Sequence, residues 1–99
     1  MDYKVILSPL ALDDIEQIVC YVSFSDPQAA GRLGHRLLDH AGSLCDFPHR
    51  GGDVCSRPGV KKLLLWPYLI FYRVNEESRS VEVLRFWHGA RDPRSLRLE

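Results

Sequence analysis

Apolar and polar positions change their period twice along this chain. Residues 3–7 (Tyr3-Lys4-Val5-Ile6-Leu7) read as a short strand. Ser8-Pro9 then opens a helix, because Ser is a favoured N-cap and Pro tolerates the first helical position. Leu12, Ile15, Ile18 or Val19, and Val22 recur at helical spacing, with Asp13, Asp14 and Glu16 early in the helix where its dipole favours acids. The pattern fades near Phe24. Ser25-Asp26-Pro27 repeats the start signal, and a second helix is expected from Pro27 to Cys45 or Phe47, with Ala30, Leu33, Leu37, Ala41 and Leu44 as its stripe. Gly31, Gly34 and Gly42 each cost a helix about 1 kcal/mol against Ala, so they either thin it where the first helix crosses or weaken it. The short connection predicts an antiparallel helical hairpin.

The period then shortens. Residues 47–52 break the helix, Asp53-Val54-Cys55 is placed at a sheet edge, and Ser56-Arg57-Pro58-Gly59 is a turn. Val60 to Trp66 and Leu69 to Asn75 read as strands around Trp66-Pro67-Tyr68. The almost unbroken apolar run from Leu69 to Val74 belongs inside a sheet. Glu76-Glu77-Ser78-Arg79 is a polar turn before a last strand, Ser80 to Trp87. The order is β-α-α-β-β-β, with a short extra strand near residue 54. A helical hairpin with one apolar side and a meander of three to four strands with one face to cover pack as a two-layer α+β sandwich.

Composition narrows the class. The 99 residues, 45% of them hydrophobic and 26% charged, are expected to form a single domain spanning 1–99. No apolar run approaches the roughly 20 residues a membrane helix needs, and the start lacks the features of a signal peptide, so a cytoplasmic location without membrane contact is expected. Cys20, Cys45 and Cys55 form no CxxC pair, and Cys20 and Cys45 read as small core residues. Net charge is zero but uneven. Residues 1–31 carry five acids against one lysine, a net −4, and residues 50–99 carry ten bases against six acids, a net +4. That polarised surface falls short of the strong basicity of a dedicated nucleic-acid binder.

The candidate chemistry gathers from Val81 to Pro93. A strand there delivers Arg85, His88, Arg91 and Asp92 to its C-terminal end before Gly89 and Pro93 stop pairing. His88 is either functional or a strand-end imidazole bonded to a neighbour such as Asp92. Arg85 is either an exposed cation or the partner of a helix acid: Asp13, Asp14 or Glu16. Trp66, Tyr68 and Trp87 are either core or interface anchors. His35, His40 and His49 lack metal-ligand spacing, and neither a metal nor a cofactor is expected.

Taken in order, four stretches resemble the RelE/ParE family of toxins from type II toxin–antitoxin operons, over about residues 3–93. They are Tyr3-Lys4-Val5-Ile6-Leu7-Ser8-Pro9 with the helix after it, Phe47-Pro48-His49-Arg50-Gly51, Pro67-Tyr68-Leu69-Ile70-Phe71-Tyr72-Arg73-Val74, and Val83-Leu84-Arg85-Phe86-Trp87-His88-Gly89-Ala90-Arg91-Asp92. The resemblance implies a first strand beside the last in an antiparallel sheet. It also implies a toxin neutralised by a cognate antitoxin, whose chain folds onto the groove beside the helical hairpin and the open edge and face of the sheet. Trp66, Tyr68, Ile15, Val19, Leu33 and Leu37 are the expected antitoxin contacts.

The family divides by target. ParE-like members inhibit DNA gyrase by binding, and the expected contacts are Arg85, Trp87, His88 and Arg91. RelE-like members cleave ribosome-bound mRNA without a metal, for which Arg85, His88, Arg91, Lys61 and Lys62 are the available groups. Nuclease members tend to carry an Arg where Tyr68 or Leu69 stands, and a Tyr or basic run where His88-Gly89-Ala90 stands. The ending here resembles the ParE side. A third alternative is an antitoxin-binding module with little residual toxicity.

Overall fold

In the computed structural model, which describes residues 3–98, the chain starts as strand β1 (Lys4–Leu7) and turns at Ser8 into helix α1 (Pro9–Ser23). The Ser8 hydroxyl accepts the Ala11 N–H at 3.1 Å and donates to the Leu84 carbonyl at 2.9 Å. One side chain thereby caps the helix and ties it to the last strand. Helix α2 (Pro27–Gly42) begins at Asp26, whose carboxylate accepts the N–H groups of Gln28 and Ala29, and ends in a 3-10 turn at Ser43–Cys45. Strands β2 (Gly52–Asp53), β3 (Lys61–Leu65), β4 (Tyr68–Asn75) and β5 (Ser80–His88) follow.

The five strands form one sheet in the order β1-β5-β4-β3-β2. The α+β class, the hairpin and the first strand beside the last all match the expected architecture. One expectation is corrected: β1 runs parallel to β5, so the sheet is mixed rather than antiparallel. A parallel neighbour needs a long crossover, and the whole chain between Leu7 and Ser80 provides it.

Two apolar layers hold the sheet. Leu37, Ala41 and Leu44 pack with Ala11 on Leu63, Ile70, Tyr72, Val81, Val83 and Phe86 between helices and sheet. A smaller cluster lies on the opposite face, where Leu96 covers Val60, Phe71, Leu84 and Trp87, with Val54 and Leu98 beside them. Arg57 fastens this C-terminal segment by donating to the Leu96 carbonyl at 2.7 Å. The switch of faces within β5 comes from a bulge: Tyr72 pairs with Val83 and Phe71 with Arg85, leaving Leu84 as the extra residue. Val83 and Phe86 therefore belong to the helix-side core, and Leu84 and Trp87 to the other.

Three helix expectations change. Leu12 is 54% exposed, and the buried positions of α1 are Ala11 and Asp14. Cys20 is exposed and Cys45 half-buried, so neither is a core residue. Of the three glycines, only Gly34 marks the helix crossing: a Cβ there would stand 3.1 Å from Val19 Cγ2, whereas Gly31 and Gly42 face open space. Among the described residues, no helix is long and apolar enough to cross a membrane.

Candidate functional site

The site grows from a mismatch in length. β1 pairs with β5 only as far as Val83, and β5 runs on to His88. A strand edge left without a neighbour must find other partners for its backbone groups. Here α1 supplies them. The Leu84 carbonyl takes the Ser8 hydroxyl, and the Phe86 N–H donates to Asp14 Oδ2 at 3.1 Å. Asp14 is buried and also accepts from Arg85, Nε to Oδ2 at 2.6 Å and Nη2 to Oδ1 at 2.8 Å. A two-pronged ion pair of this kind fixes both partners in orientation. Its hydrogen bonds raise the Arg85 pKa above the ordinary arginine value, against the opposing effect of burial. The same guanidinium also donates to the Arg97 carbonyl.

Beyond Phe86, α1 and the sheet diverge and leave a groove of about 500 Å³. Ile18, Tyr21, Val22, Tyr68 and Phe86 form its apolar walls, and Asp14, Gln17, His88 and Arg91 its polar positions. His88 Nδ1 accepts the Ala90 N–H at 3.0 Å, and the ring meets Tyr68 edge-on at 5.3 Å. Burial raises the Tyr68 pKa, so its phenol stays protonated across the physiological range. The Arg91 guanidinium lies over the Trp87 ring, 3.9 Å from its centroid, and that of Arg85 lies 5.2 Å away. Large aromatics stand exposed on the nearby elements: Tyr21 and Phe24 at the end of α1, 79% and 85% exposed, and Trp66 in the β3–β4 turn at 77%.

The structure brings together part of the expected set. His88 and Arg91 share the groove, with Tyr68 in its wall. Trp87 is buried beneath Arg91, and Arg85 is held by Asp14, the second of the two roles foreseen for it. His88 bonds Ala90 rather than Asp92, whose carboxylate binds Arg94 at 3.1 Å and is held below its ordinary pKa by that contact. Lys61 and Lys62 lie elsewhere. Lys61 pairs with Asp53 at 2.8 Å, which raises its pKa. Lys62 alternates onto the face away from Lys61, in one cross-strand row with Phe71 and Arg85, but two strands and roughly 10 Å of sheet from the Arg85 backbone.

The expected antitoxin contacts divide as well. Ile15 and Val19 border a shallow groove of about 220 Å³ on the helical hairpin, with Gly31, Gly34 and Leu38. Leu33 packs against the core, and Leu37 is wholly inside it, so Leu37 is not a surface residue. Sequence reasoning did not single out Tyr21, Phe24 or Gln17 for the site. Their one signal was position: Tyr21 and Phe24 fall beside the apolar stripe of α1, where no core contact accounts for two aromatics.

Comparison with known proteins follows the same lines. The family model described as ParE toxin of type II toxin-antitoxin system, parDE, matches residues 5–93. Toxin RelE1 of Caulobacter vibrioides is 33% identical over 93 residues, covering 90% of this chain and 96% of that protein. Among solved structures, a chain of the chromosomal ParDE system of P. aeruginosa superposes with a TM-score of 0.75 at 23% identity, covering 88% of this chain and 96% of that one. The RelBE2 toxin–antitoxin complex of Mycobacterium tuberculosis gives 0.68 at 24% identity, with coverage of 89% and 99%.

Proposed function

The chain belongs to the ParE family of toxins from type II toxin–antitoxin systems, and on that premise we propose that it inhibits DNA gyrase by binding rather than by cleaving RNA. The observation that carries the reading is the commitment of Arg85. A ribonuclease of this fold needs cations gathered around the scissile phosphate and a group free to move a proton. Arg85 is instead locked by Asp14, Lys61 is paired with Asp53, and Lys62 stands two strands away, roughly 10 Å of sheet from the Arg85 backbone. What the end of β5 offers is an apolar groove with aromatics and a single stacked arginine. That composition suits a protein interface, where Trp, Tyr and Arg carry most of the binding energy.

In the cell, the partner that restrains the toxin is a cognate antitoxin, and both act in the cytoplasm. The fold-level likeness to toxin–antitoxin structures supports that partner. The hairpin groove at Ile15 and Val19 and the exposed Trp66 are its docking points, continuous with the aromatic rim of the larger groove. Arg91 and His88 remain for the target.

Messenger RNA cleavage is the second reading, favoured by the one place where His88 and Arg91 line a common groove. Brief induction in cells followed by primer extension separates the two. The gyrase reading predicts no codon-phased cuts, together with accumulation of cleaved chromosomal DNA. Cuts that disappear in the Arg91→Ala and His88→Ala variants would establish the nuclease instead. Unimpaired growth after induction without the antitoxin would leave only an antitoxin-binding module.

A further inference from the structure

The chemistry of the groove specifies what it can hold. Its acid is already neutralised: Asp14 accepts two bonds from Arg85 and one from the Phe86 N–H. Gln17 donates its amide N–H to Asp13. At the other end the polar groups are donors. Because His88 Nδ1 accepts the Ala90 N–H, the neutral ring carries its proton on Nε2. Among the described residues Arg91 has no carboxylate partner, and its guanidinium lies over Trp87, 3.9 Å from the ring centroid. Stacking restricts the group while leaving its N–H edge free, the arrangement that favours a planar, two-oxygen anion. The walls between these ends are apolar, and 500 Å³ falls in the range of small-ligand pockets.

We propose that this groove binds a segment of a partner protein in which a large apolar side chain stands next to a carboxylate. The apolar side chain sits between Ile18, Val22 and Phe86, and the carboxylate is read by Arg91 with help from His88. A nucleic-acid strand is the poorer fit. One unpaired cation beside a neutral imidazole offers little against a run of phosphates, and the walls are too apolar for a backbone that must stay solvated. The inference rests on reading the chain as a toxin that works through protein partners, and it adds which chemistry the partner presents.

Calorimetric titration tests it with three probes: a blocked hexapeptide alternating Phe and Leu with Asp, the same peptide with Asn for Asp, and a six-nucleotide oligothymidine. The acidic peptide is expected to bind about tenfold more tightly than its Asn counterpart, the worth of one charge-assisted contact. Arg91→Ala should abolish that difference, while Arg36→Ala, on the exposed side of α2, should preserve it. Amide shifts confined to Ile18, Phe86, His88 and Arg91 would locate the site. Equal binding of the two peptides, no peptide binding by the folded protein, or tighter binding of the oligonucleotide would overturn the proposal. Gyrase inhibition is scored separately, so a groove that rejects the acidic peptide while the protein still inhibits gyrase sinks this inference alone.

Discussion

Replacing Asp14 by Ala puts the structural logic of the site under the greatest strain. The carboxylate is nearly inaccessible, with 7% of its side chain exposed against 11% for Arg85. Its removal leaves a largely buried guanidinium without its counter-charge and the Phe86 N–H at an unpaired strand edge. Breaking a buried pair from one side costs about 3 kcal/mol or more, because the surviving charge stays desolvated. For a domain of this size each kcal/mol lowers Tm by about 4–8 °C, so a drop of at least about 12 °C is expected. Arg85→Ala should cost less, since Asp14 keeps the Phe86 N–H and lies nearer water once the arginine stem is gone. The double variant should be more stable than the sum of the two losses predicts, by at least about 1.5 kcal/mol. Urea unfolding of the four proteins measures all of this. Asp14→Ala costing under about 1 kcal/mol, or strictly additive losses, would refute a structural role for Arg85 and return its guanidinium to the candidates for direct chemistry.

Three further outcomes follow from the same geometry. Gly51→Ala should destabilise by about 2 kcal/mol, as overpacking does: the new Cβ would come within 2.5 Å of the Lys62 carbonyl oxygen and 2.6 Å of the Tyr72 hydroxyl. Tyr72→Phe in the same background should recover only part of that loss, read by thermal unfolding: it removes one of three close atoms, leaves the ring carbon Cε1 at 2.9 Å, and takes away the acceptor of the Gly51 N–H. Leu96→Ala should cost about 2–3 kcal/mol and raise the exposure of Trp87, seen as a red-shifted tryptophan emission, because Leu96 covers the second apolar layer. Glu76 accepts from the Tyr3 hydroxyl and bonds His49, and these contacts hold its carboxyl below the ordinary value. Its contribution is therefore complete above the ordinary carboxyl pKa and fades as pH falls through the lower folded value. Glu76→Gln should flatten that acid limb in a stability–pH profile and leave it unchanged near neutrality, apart from a constant offset.

The elements themselves were legible because each start carries its own chemistry. Ser8-Pro9 and Asp26-Pro27 cap helices in the structure as they do on paper, and the run from Leu69 to Val74 lies in a strand flanked on both sides. What escaped was tertiary. The parallel pairing of β1 depends on where the chain returns after a long crossover, and no local pattern encodes a direction. The bulge at Leu84 appeared in the sequence only as an unexplained shift of phase between Val83 and Phe86. Asp14 stood in the sequence as one of three helix acids able to pair with Arg85, and only the fold singles it out, since its task is set by a strand edge far along the chain. The C-terminal segment around Leu96 carries a single isolated Leu-Arg-Leu, too short to announce that it closes a second layer. The candidate site residues were half legible for the same reason. Arg85, His88 and Arg91 stood out by type and spacing, but only the fold shows that the first is occupied while the other two border a groove.

Inhibition of gyrase by binding is the function proposed for this chain. A supercoiling assay with purified gyrase and relaxed plasmid addresses it most directly, with toxin titrated to molar excess. The expected result is loss of supercoiled product with accumulation of linear, gyrase-cleaved DNA, reversed by adding the antitoxin, weakened by Arg91→Ala and unaffected by Arg36→Ala. Full supercoiling at a large excess of folded toxin, with no cleaved DNA at any concentration, would contradict it.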